Sequence, residues 1–259
     1  MEYPEIDGYL TSGSAGSTKR VGAKLWRSAP LAARDWYDPA RAEEARKIRS
    51  RYGQHEVLLA CLGREEKLNS EPFLAAVAAV LRACPQAGFL WTGRERLFAI
   101  EARLNELGVG KRCHYIGWVD TKVYAQVLDA FVDSFPFPCA FTLYEAMAAG
   151  KAVLTYASPE ASETGLHGLL SPLLAGESGN PDEQSRARSM FGDSLYFCAG
   201  NAQEYVEMAT RLVRDAELRR AAGEANRRFI AEFLSDRART ARILATHLIE
   251  LIGEARQRA

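Results

Sequence analysis

Residues 131–156, FVDSFPFPCAFTLYEAMAAGKAVLTY, decide the fold. Residues 131–135 predict a short buried strand, residues 142–149 predict a helix that Gly150 closes, and residues 152–156 predict a second strand. Two short strands joined by a helix are typical of a unit in which the strands run parallel. We therefore expect the loop after residue 135 and the start of the helix to lie at the carboxyl edge of a parallel sheet.

The same alternation continues on both sides of this unit. Strands are predicted at residues 56–62, 87–91, 113–116 and 195–198, and helices at residues 71–83, 96–107, 121–130, 203–214, 217–233 and 237–254. Upstream, residues 11–18 are predicted as a loop and residues 39–51 as a helix, whereas residues 157–192 are predicted to be irregular. The pattern indicates an α/β fold with a doubly wound parallel sheet followed by C-terminal helices.

Composition and charge exclude several classes of protein. The 259 residues include 33 Lys plus Arg and 33 Asp plus Glu, and this balance argues against a nucleic-acid partner, which requires a basic surplus. The longest apolar run, residues 73–81, is too short to cross a bilayer. Five cysteines without a C-x-x-C motif do not form a metal pattern and fit a reducing, cytoplasmic location.

Cationic residues follow the first predicted strand of the sheet. Gly63 permits a tight turn, and Arg64 and Lys67 lie three positions apart, where they could hold a phosphate or diphosphate. The alternative is a solvated charge cluster in which Glu65 and Glu66 pair locally with these cations. Spacing alone leaves both interpretations open.

Thr142 and Glu145 also allow two interpretations. Thr142 is predicted to cap a helix whose free amide groups would attract phosphate oxygens. The Thr142-x-x-Glu145 pattern fits a capping box, in which the Glu carboxylate bonds the backbone. The functional alternative is that Glu145 accepts hydrogen bonds from sugar hydroxyls.

Two further features are weaker candidates. His167, in the predicted irregular stretch, is the histidine that merits a functional test. A cluster of C-terminal arginines either contacts an anionic membrane surface or is simply solvated. Its members are Arg227, Arg228, Arg237, Arg239 and Arg242.

Four segments together resemble the C-terminal half of a GT-B-fold glycosyltransferase. They are LGREEKLN at 62–69, FLWTGR at 89–94, CHYIGWVD at 113–120 and SFPFPCAFTLYEAMAAGKAVLT at 134–155. EAMAAGKAV is similar to the E-A-M-A-x-G-x-P-V signature of retaining, group-1 enzymes. Phe137, however, stands where that signature has a second glutamate, and FPF and LNSEPF are closer to the O-GlcNAc-transferase-like group.

The resemblance implies a role for each matching position. Lys67, with Arg64, would bind the donor diphosphate and act as a catalytic residue by stabilising it as the leaving group. Glu145 would hold the ribose hydroxyls. The remaining donor-binding positions are Gly63 and Gly93 in turns, Trp118 and Val119 beside the base, and Phe141, Thr142 and Leu143 at the helix N-terminus.

The resemblance predicts a metal-independent glycosyltransferase that transfers a hexosyl or N-acetylhexosaminyl group from a UDP-sugar, without a cofactor, to an unidentified glycan or protein. Residues 1–53 would be a remnant of or linker from a missing N-terminal domain, 54–235 the nucleotide-sugar-binding Rossmann-like domain, and 236–259 a C-terminal helix. The chain alone is then expected to be inactive unless a separate acceptor domain joins it. The alternatives are a non-catalytic nucleotide-binding or scaffolding module and, less favoured, a sugar-nucleotide epimerase. The location would be cytoplasmic, with peripheral contact to the inner membrane as a further option.

Overall fold

A computed structural model of the chain describes residues 8–12, 18–21, 24–29, 35–157, 165–177 and 180–258. The strands are β1 Gly8–Ser12, β2 Thr18–Val21, β3 Lys24–Ala29, β4 Val57–Cys61, β5 Ala87–Trp91, β6 Cys113–Tyr115, β7 Ala130–Val132, β8 Ala152–Tyr156 and β9 Phe197–Ala199. The helices are α1 Ala42–Ser50, α2 Glu65–Leu68, α3 Glu71–Ala83, α4 Phe98–Glu106, α5 Thr121–Val127, α6 Phe141–Ala148, α7 Gly165–Ala175, α8 Pro181–Phe191, α9 Ala202–Arg214, α10 Ala216–Phe229 and α11 Arg237–Arg258.

Six strands form one parallel sheet in the order β6-β5-β4-β7-β8-β9. The chain builds the sheet outward from β4 to β6 and then returns to β7 on the other side of β4. Leu59 pairs with Ala130 and Ala60 with Phe131 across this junction. Strand order therefore reverses between β4 and β7, and ligands of doubly wound sheets bind in the crevice at such a switch point. The predicted fold class is confirmed.

The sheet is buried on both faces because helices cover each side. Every residue of β4, β5 and β7 is buried, which explains why these strands are continuous apolar runs in the sequence. Leu58 and Phe131 are fully buried members of the core. The positions of β5 and β8 coincide with their predicted bounds.

The segment before β4 contributes to this core. The Trp36 ring stacks on Phe141 at a centroid distance of 5.8 Å and meets Tyr144 edge-on at 5.4 Å. Ala45 and Ile48 of α1 belong to the same core. A separate three-stranded sheet has the order β1-β3-β2, with β1 parallel and β2 antiparallel to β3. The prediction of a loop over residues 11–18 is wrong at both ends, because Thr11 and Ser12 belong to β1 and Thr18 begins β2. Residues 13–17 lie outside the described residues.

The prediction of an irregular stretch over residues 157–192 is wrong for its described part, which contains α7 and α8. Buried Leu166, Leu169, Leu170 and Leu173 give α7 a helical apolar stripe in spite of Pro172 within the helix. The α8 helix begins with a capping box, in which the Asn180 side chain and Glu183 each bond the other's backbone amide. Residues 158–164 and 178–179 lie outside the described residues.

Candidate functional site

A cavity of about 640 Å³ opens at the carboxyl edge of the sheet, at the switch point between β4 and β7. Loops after four neighbouring strands, together with the start of α6, form its wall. We call it the switch-point cavity. Its lining residues are Leu62, Gly63, Arg64, Lys67, Thr92, Trp118, Val119, Asp120, Thr121, Lys122, Cys139, Ala140, Phe141, Thr142 and Glu145. The structure thus brings together most of the predicted site residues.

Lys67 reaches across the cavity from α2 to the loop before α6. Its half-buried ammonium donates a hydrogen bond to the Pro138 carbonyl, with an Nζ–O distance of 2.5 Å. Arg64, one turn earlier, is exposed at the N-terminal boundary of α2. Both cations line the cavity, and Lys67 is held against the opposite wall rather than paired with Glu65 or Glu66.

Glu65, which the sequence suggested as a local ion-pair partner, has a different role. Its buried carboxylate accepts hydrogen bonds from the backbone amides of Arg94, at 2.8 Å, and Glu95, at 3.3 Å. Hydrogen bonds from backbone amides, its own first, hold the pKa of Glu65 below its usual value. Glu65 therefore fastens the loop after β4 to the loop after β5, and its charge is not available to neutralise Lys67.

The α6 helix presents an uncapped N-terminus to the cavity. Its N-cap residue is Ala140, whose methyl group cannot accept a hydrogen bond from the first amides. The first helical hydrogen bond runs from the Tyr144 amide to the Ala140 carbonyl at 3.2 Å. The prediction that Thr142 caps this helix is wrong, because the helix already begins at Phe141. The Thr142 hydroxyl is buried without a hydrogen-bond partner. A helix N-terminus that lacks a side-chain cap and has the unpaired Thr142 hydroxyl beside it is suited to an anion.

Glu145 does not form the predicted capping box with Thr142. It lies in the second turn of α6, is 3% exposed, and accepts a hydrogen bond of 2.6 Å from the Thr121 hydroxyl at the start of α5. A carboxylate from α6 and a hydroxyl from α5 thus meet in the cavity wall. Thr121 is a site residue that the sequence reasoning missed, although its position directly after a strand and turn is a signal for it.

Trp118 and Val119 form the outer wall of the cavity. The indole of Trp118 is 62% exposed and lies under the Arg94 guanidinium, 5.2 Å from its carbon to the ring centroid. The next residue, Asp120, caps α5 by accepting from the Lys122 amide at 3.0 Å. An exposed indole at a cavity mouth offers a flat apolar surface for a planar ring.

Two of the predicted donor-binding residues do not line the cavity. Leu143 is a fully buried residue of α6. Gly93 packs against the Glu65 side chain, and its carbonyl accepts a hydrogen bond from the Tyr115 hydroxyl at 3.0 Å. A Cβ atom on Gly93 would come within 2.9 Å of the Glu65 carboxylate, so its lack of a side chain serves the packing of this loop. Thr92, the preceding residue, reaches the wall and donates to the Gly63 carbonyl at 2.7 Å.

Cys139, which lines the cavity, contacts two buried residues behind the wall, Cys61 and Asp133. The sulfur atoms of Cys61 and Cys139 are 3.9 Å apart, and Asp133 accepts from the Cys139 amide at 2.7 Å. Among the described residues, Cys61, Asp133 and Cys139 form a group whose possible ligand atoms all lie within 4.8 Å of one another, which is close enough to hold a metal ion. Burial raises the pKa of Asp133 well above its usual value. No local sequence motif marks this cluster.

The weaker candidates lie elsewhere. His167 does not line the switch-point cavity; its Nδ1 is 3.2 Å from both the Tyr196 hydroxyl and the Cys198 sulfur, and burial lowers its pKa. Arg239 is not part of an exposed cluster, since it is 8% exposed and pairs with Glu183 at 2.7 Å. Among the described helices, none is both long and apolar enough to cross a bilayer.

The family model for Glycosyl transferases group 1 matches residues 56–187. No curated protein sequence matches the chain. The solved structures that share the fold include the three that follow, each at less than 25% identity.

The first is a mutant of the Thermobaculum terrenum O-GlcNAc transferase, with a TM-score of 0.56 and 20% identity over 78% of this chain and 37% of that one. The second is Anabaena HepE in complex with UDP and glucose, with a TM-score of 0.60 and 16% identity over 87% of this chain and 57% of that one. The third is the C-terminal domain of a group 1 family protein from Francisella tularensis, with a TM-score of 0.52 and 15% identity over 78% of this chain and 96% of that one. The chain thus spans between about a third and three fifths of the first two proteins and nearly all of the isolated C-terminal domain.

Proposed function

Because this chain belongs to the group 1 glycosyl transferases, whose family model matches residues 56–187, we propose that its switch-point cavity binds a nucleoside diphosphate sugar. UDP is the preferred nucleotide, and the group transferred is a hexosyl or N-acetylhexosaminyl unit. Anabaena HepE and the pneumococcal GtfA, both similar in fold, were solved in complex with UDP. The cavity volume of about 640 Å³ falls within the range of small-molecule sites.

One observation carries the proposal: the Lys67 ammonium, which reaches the loop before α6, and the N-terminus of α6 line the same cavity. The Lys67 ammonium touches the Pro138 carbonyl, and the α6 helix begins at Phe141, three residues later. The unpaired Thr142 hydroxyl lies in the same wall. A diphosphate between these groups would receive a full positive charge from one side and amide and hydroxyl donors from the other.

The remaining residues fit the rest of a nucleotide. Exposed Trp118, with Val119 beside it, would pack against the base, and buried Glu145 would accept from the ribose hydroxyls near Thr121. Each of these positions lies on the wall of the one cavity. The base, ribose and diphosphate can therefore be accommodated together.

Catalysis then consists of stabilising the leaving group. When the bond between the sugar and the β-phosphate breaks, negative charge develops on the diphosphate, and Lys67, Arg64 and the α6 amides are already placed to balance it. Because these cationic and donor groups supply the positive charge, the proposed reaction does not depend on a metal ion or another cofactor. The nucleophile is a group of the acceptor, which a separate N-terminal domain is expected to hold.

Calorimetric titration of the chain with UDP, GDP and their sugars tests the proposal. We expect saturable binding of UDP with a dissociation constant below about 1 mM, and weaker binding of GDP. Absence of saturable binding for both nucleotides would refute the donor-site assignment. Binding of UDP-sugar with neither hydrolysis nor transfer, even when an acceptor domain is added, would instead favour a nucleotide-binding module without catalysis.

A further inference from the structure

Cys61 and Cys139 come from distant parts of the chain and meet at the wall of the switch-point cavity, where Cys139 lines the wall and Cys61 lies behind it. Cys61 ends β4, whereas Cys139 lies in the loop between β7 and α6. Their sulfur atoms are 3.9 Å apart, and both residues carry free thiols. A disulfide requires a sulfur–sulfur distance of about 2.05 Å, so the two atoms would approach by about 1.9 Å on oxidation.

Both thiols are buried, but they lie at different distances from the cavities. Cys61 is 0% exposed and lines neither cavity, whereas Cys139 is 3% exposed and contributes to the wall of the switch-point cavity and of an adjoining cavity of about 470 Å³. Its sulfur packs directly on the Gly63 backbone, where a Cβ atom would come within 2.9 Å. A small oxidant that enters either cavity thus meets Cys139 first, with Cys61 directly behind it.

The surroundings favour a thiolate at Cys139. The hydrogen bond from the Cys61 thiol lowers the pKa of the Cys139 thiol; burial opposes this effect, and the charge of Lys67 lowers the pKa further. Burial raises the pKa of the Cys61 thiol. The thiolate is the reactive form of cysteine, so the more accessible sulfur is also the more nucleophilic one.

We propose that Cys139 and Cys61 form an oxidisable thiol pair in the wall of the switch-point cavity, with a hydroperoxide as the oxidant. The Cys139 thiolate attacks the terminal oxygen of the hydroperoxide, and the O–O bond breaks to leave a sulfenic acid on Cys139. The leaving alkoxide, which is hydroxide when the oxidant is hydrogen peroxide, takes up the proton that the Cys139 thiol released on ionisation. The Cys61 sulfur then attacks the Cys139 sulfur, and the sulfenic oxygen leaves as water with the thiol proton of Cys61. Two electrons pass from the two thiols to the peroxide, and one disulfide forms.

The disulfide would alter the groups that line the cavity. Cys139 lies between Pro138, whose carbonyl holds Lys67, and Ala140, at which α6 begins. Drawing the Cys139 sulfur toward β4 moves this short segment with it. The position of the Lys67 ammonium and the direction of the first α6 amides would both change.

Thiol counting on the purified full chain tests the pair. The reduced protein is treated with hydrogen peroxide, denatured, alkylated and weighed intact, and its peptides are mapped without reduction. We expect the wild-type chain to lose two of its five alkylatable thiols, to regain them with dithiothreitol, and to yield one peptide linked between Cys61 and Cys139. Retention of all five thiols, or a link that joins other cysteines, would overturn the proposal.

Single substitutions sharpen this test. Cys61→Ala should stop the linked peptide and leave a trappable sulfenic acid on Cys139, because no second thiol is in contact with it. Cys84→Ala is the matched control, since Cys84 is as fully buried as Cys61 but takes no part in the sulfur contact between Cys61 and Cys139, and the variant should form the linked peptide as the wild type does. The wild-type peptide map decides the question even where a variant fails to fold.

One consequence rests on the proposed function. The oxidised chain should bind UDP at least about tenfold more weakly than the reduced chain, with recovery on reduction, because diphosphate donors are displaced. If the reduced chain does not bind UDP, the proposed function fails while the linked peptide still stands. If UDP binds the reduced chain and no linked peptide forms, only the thiol pair is refuted.

Discussion

Replacement of Lys67 by alanine separates a diphosphate site from a general nucleotide pocket. The Lys67 ammonium is half-buried and already bonded across the cavity to Pro138, so binding of a diphosphate costs little additional ordering of this side chain. A hydrogen bond to a charged group is worth about 1.5–3 kcal/mol, which corresponds to a loss of UDP affinity of roughly 10- to 150-fold. Uridine has no phosphate, and we expect its affinity to change by less than about threefold.

The assay is calorimetric titration of wild-type and variant chains with UDP and with uridine at two salt concentrations. Lys111→Ala is the control, because it removes the same charge from an exposed position outside the cavity. Added salt should weaken binding of UDP to the wild type more than to Lys67→Ala, since screening acts on the missing interaction. An equal loss for UDP and uridine would refute the assigned role of Lys67 and indicate a general disturbance of the cavity.

Three further predictions concern stability. Below about pH 6.5 the chain should unfold at a lower urea concentration, because burial lowers the pKa of His55 and His114, whose Nε2 atoms share a hydrogen bond of 2.9 Å, and the unfolded state therefore binds more protons. His114→Asn should make the urea midpoint less dependent on pH between pH 7 and 5, and an unchanged slope would contradict this. Gly223→Ala should lower the free energy of unfolding by about 1–3 kcal/mol, because the added Cβ would lie 2.0 Å from the Gly150 carbonyl oxygen. If the variant is as stable in urea as the wild type, α10 does not approach the turn at Gly150 so closely. Trp36→Ala should lower the free energy of unfolding by about 3–5 kcal/mol in the same assay, because the indole is buried against α6. A decrease of less than about 1 kcal/mol would place the indole outside the core.

The sheet could be predicted from the sequence because its strands are buried on both faces. Continuous apolar runs such as residues 87–91 and 152–156 have few alternative positions in a parallel sheet, and the structure gives these two the predicted bounds. The α7 helix could not be predicted from the sequence, because Pro172 and the glycine and serine residues between its leucines are typical of a loop. For α8 the local signal was present, since Asn180 and Glu183 have capping-box spacing.

Much of the candidate site also follows from the sequence, because the residues after each parallel strand meet at one edge. The hydrogen-bond and contact partners of these residues could not be predicted from the sequence. Glu145 and Thr142 have the spacing of a capping box, yet the Glu145 carboxylate accepts from Thr121, which a different strand delivers to the same edge. Cys61 and Cys139 are 78 positions apart and meet only because β4 pairs with β7. Contacts of this kind depend on strand order, which local spacing does not contain.

A crystal structure of the chain with UDP would show whether the switch-point cavity is a donor site. We expect density for the diphosphate between the Lys67 ammonium and the first amides of α6, with the ribose beside Glu145 and the base against Trp118. Nucleotide density in another cavity, or a diphosphate that touches neither Lys67 nor α6, would contradict it.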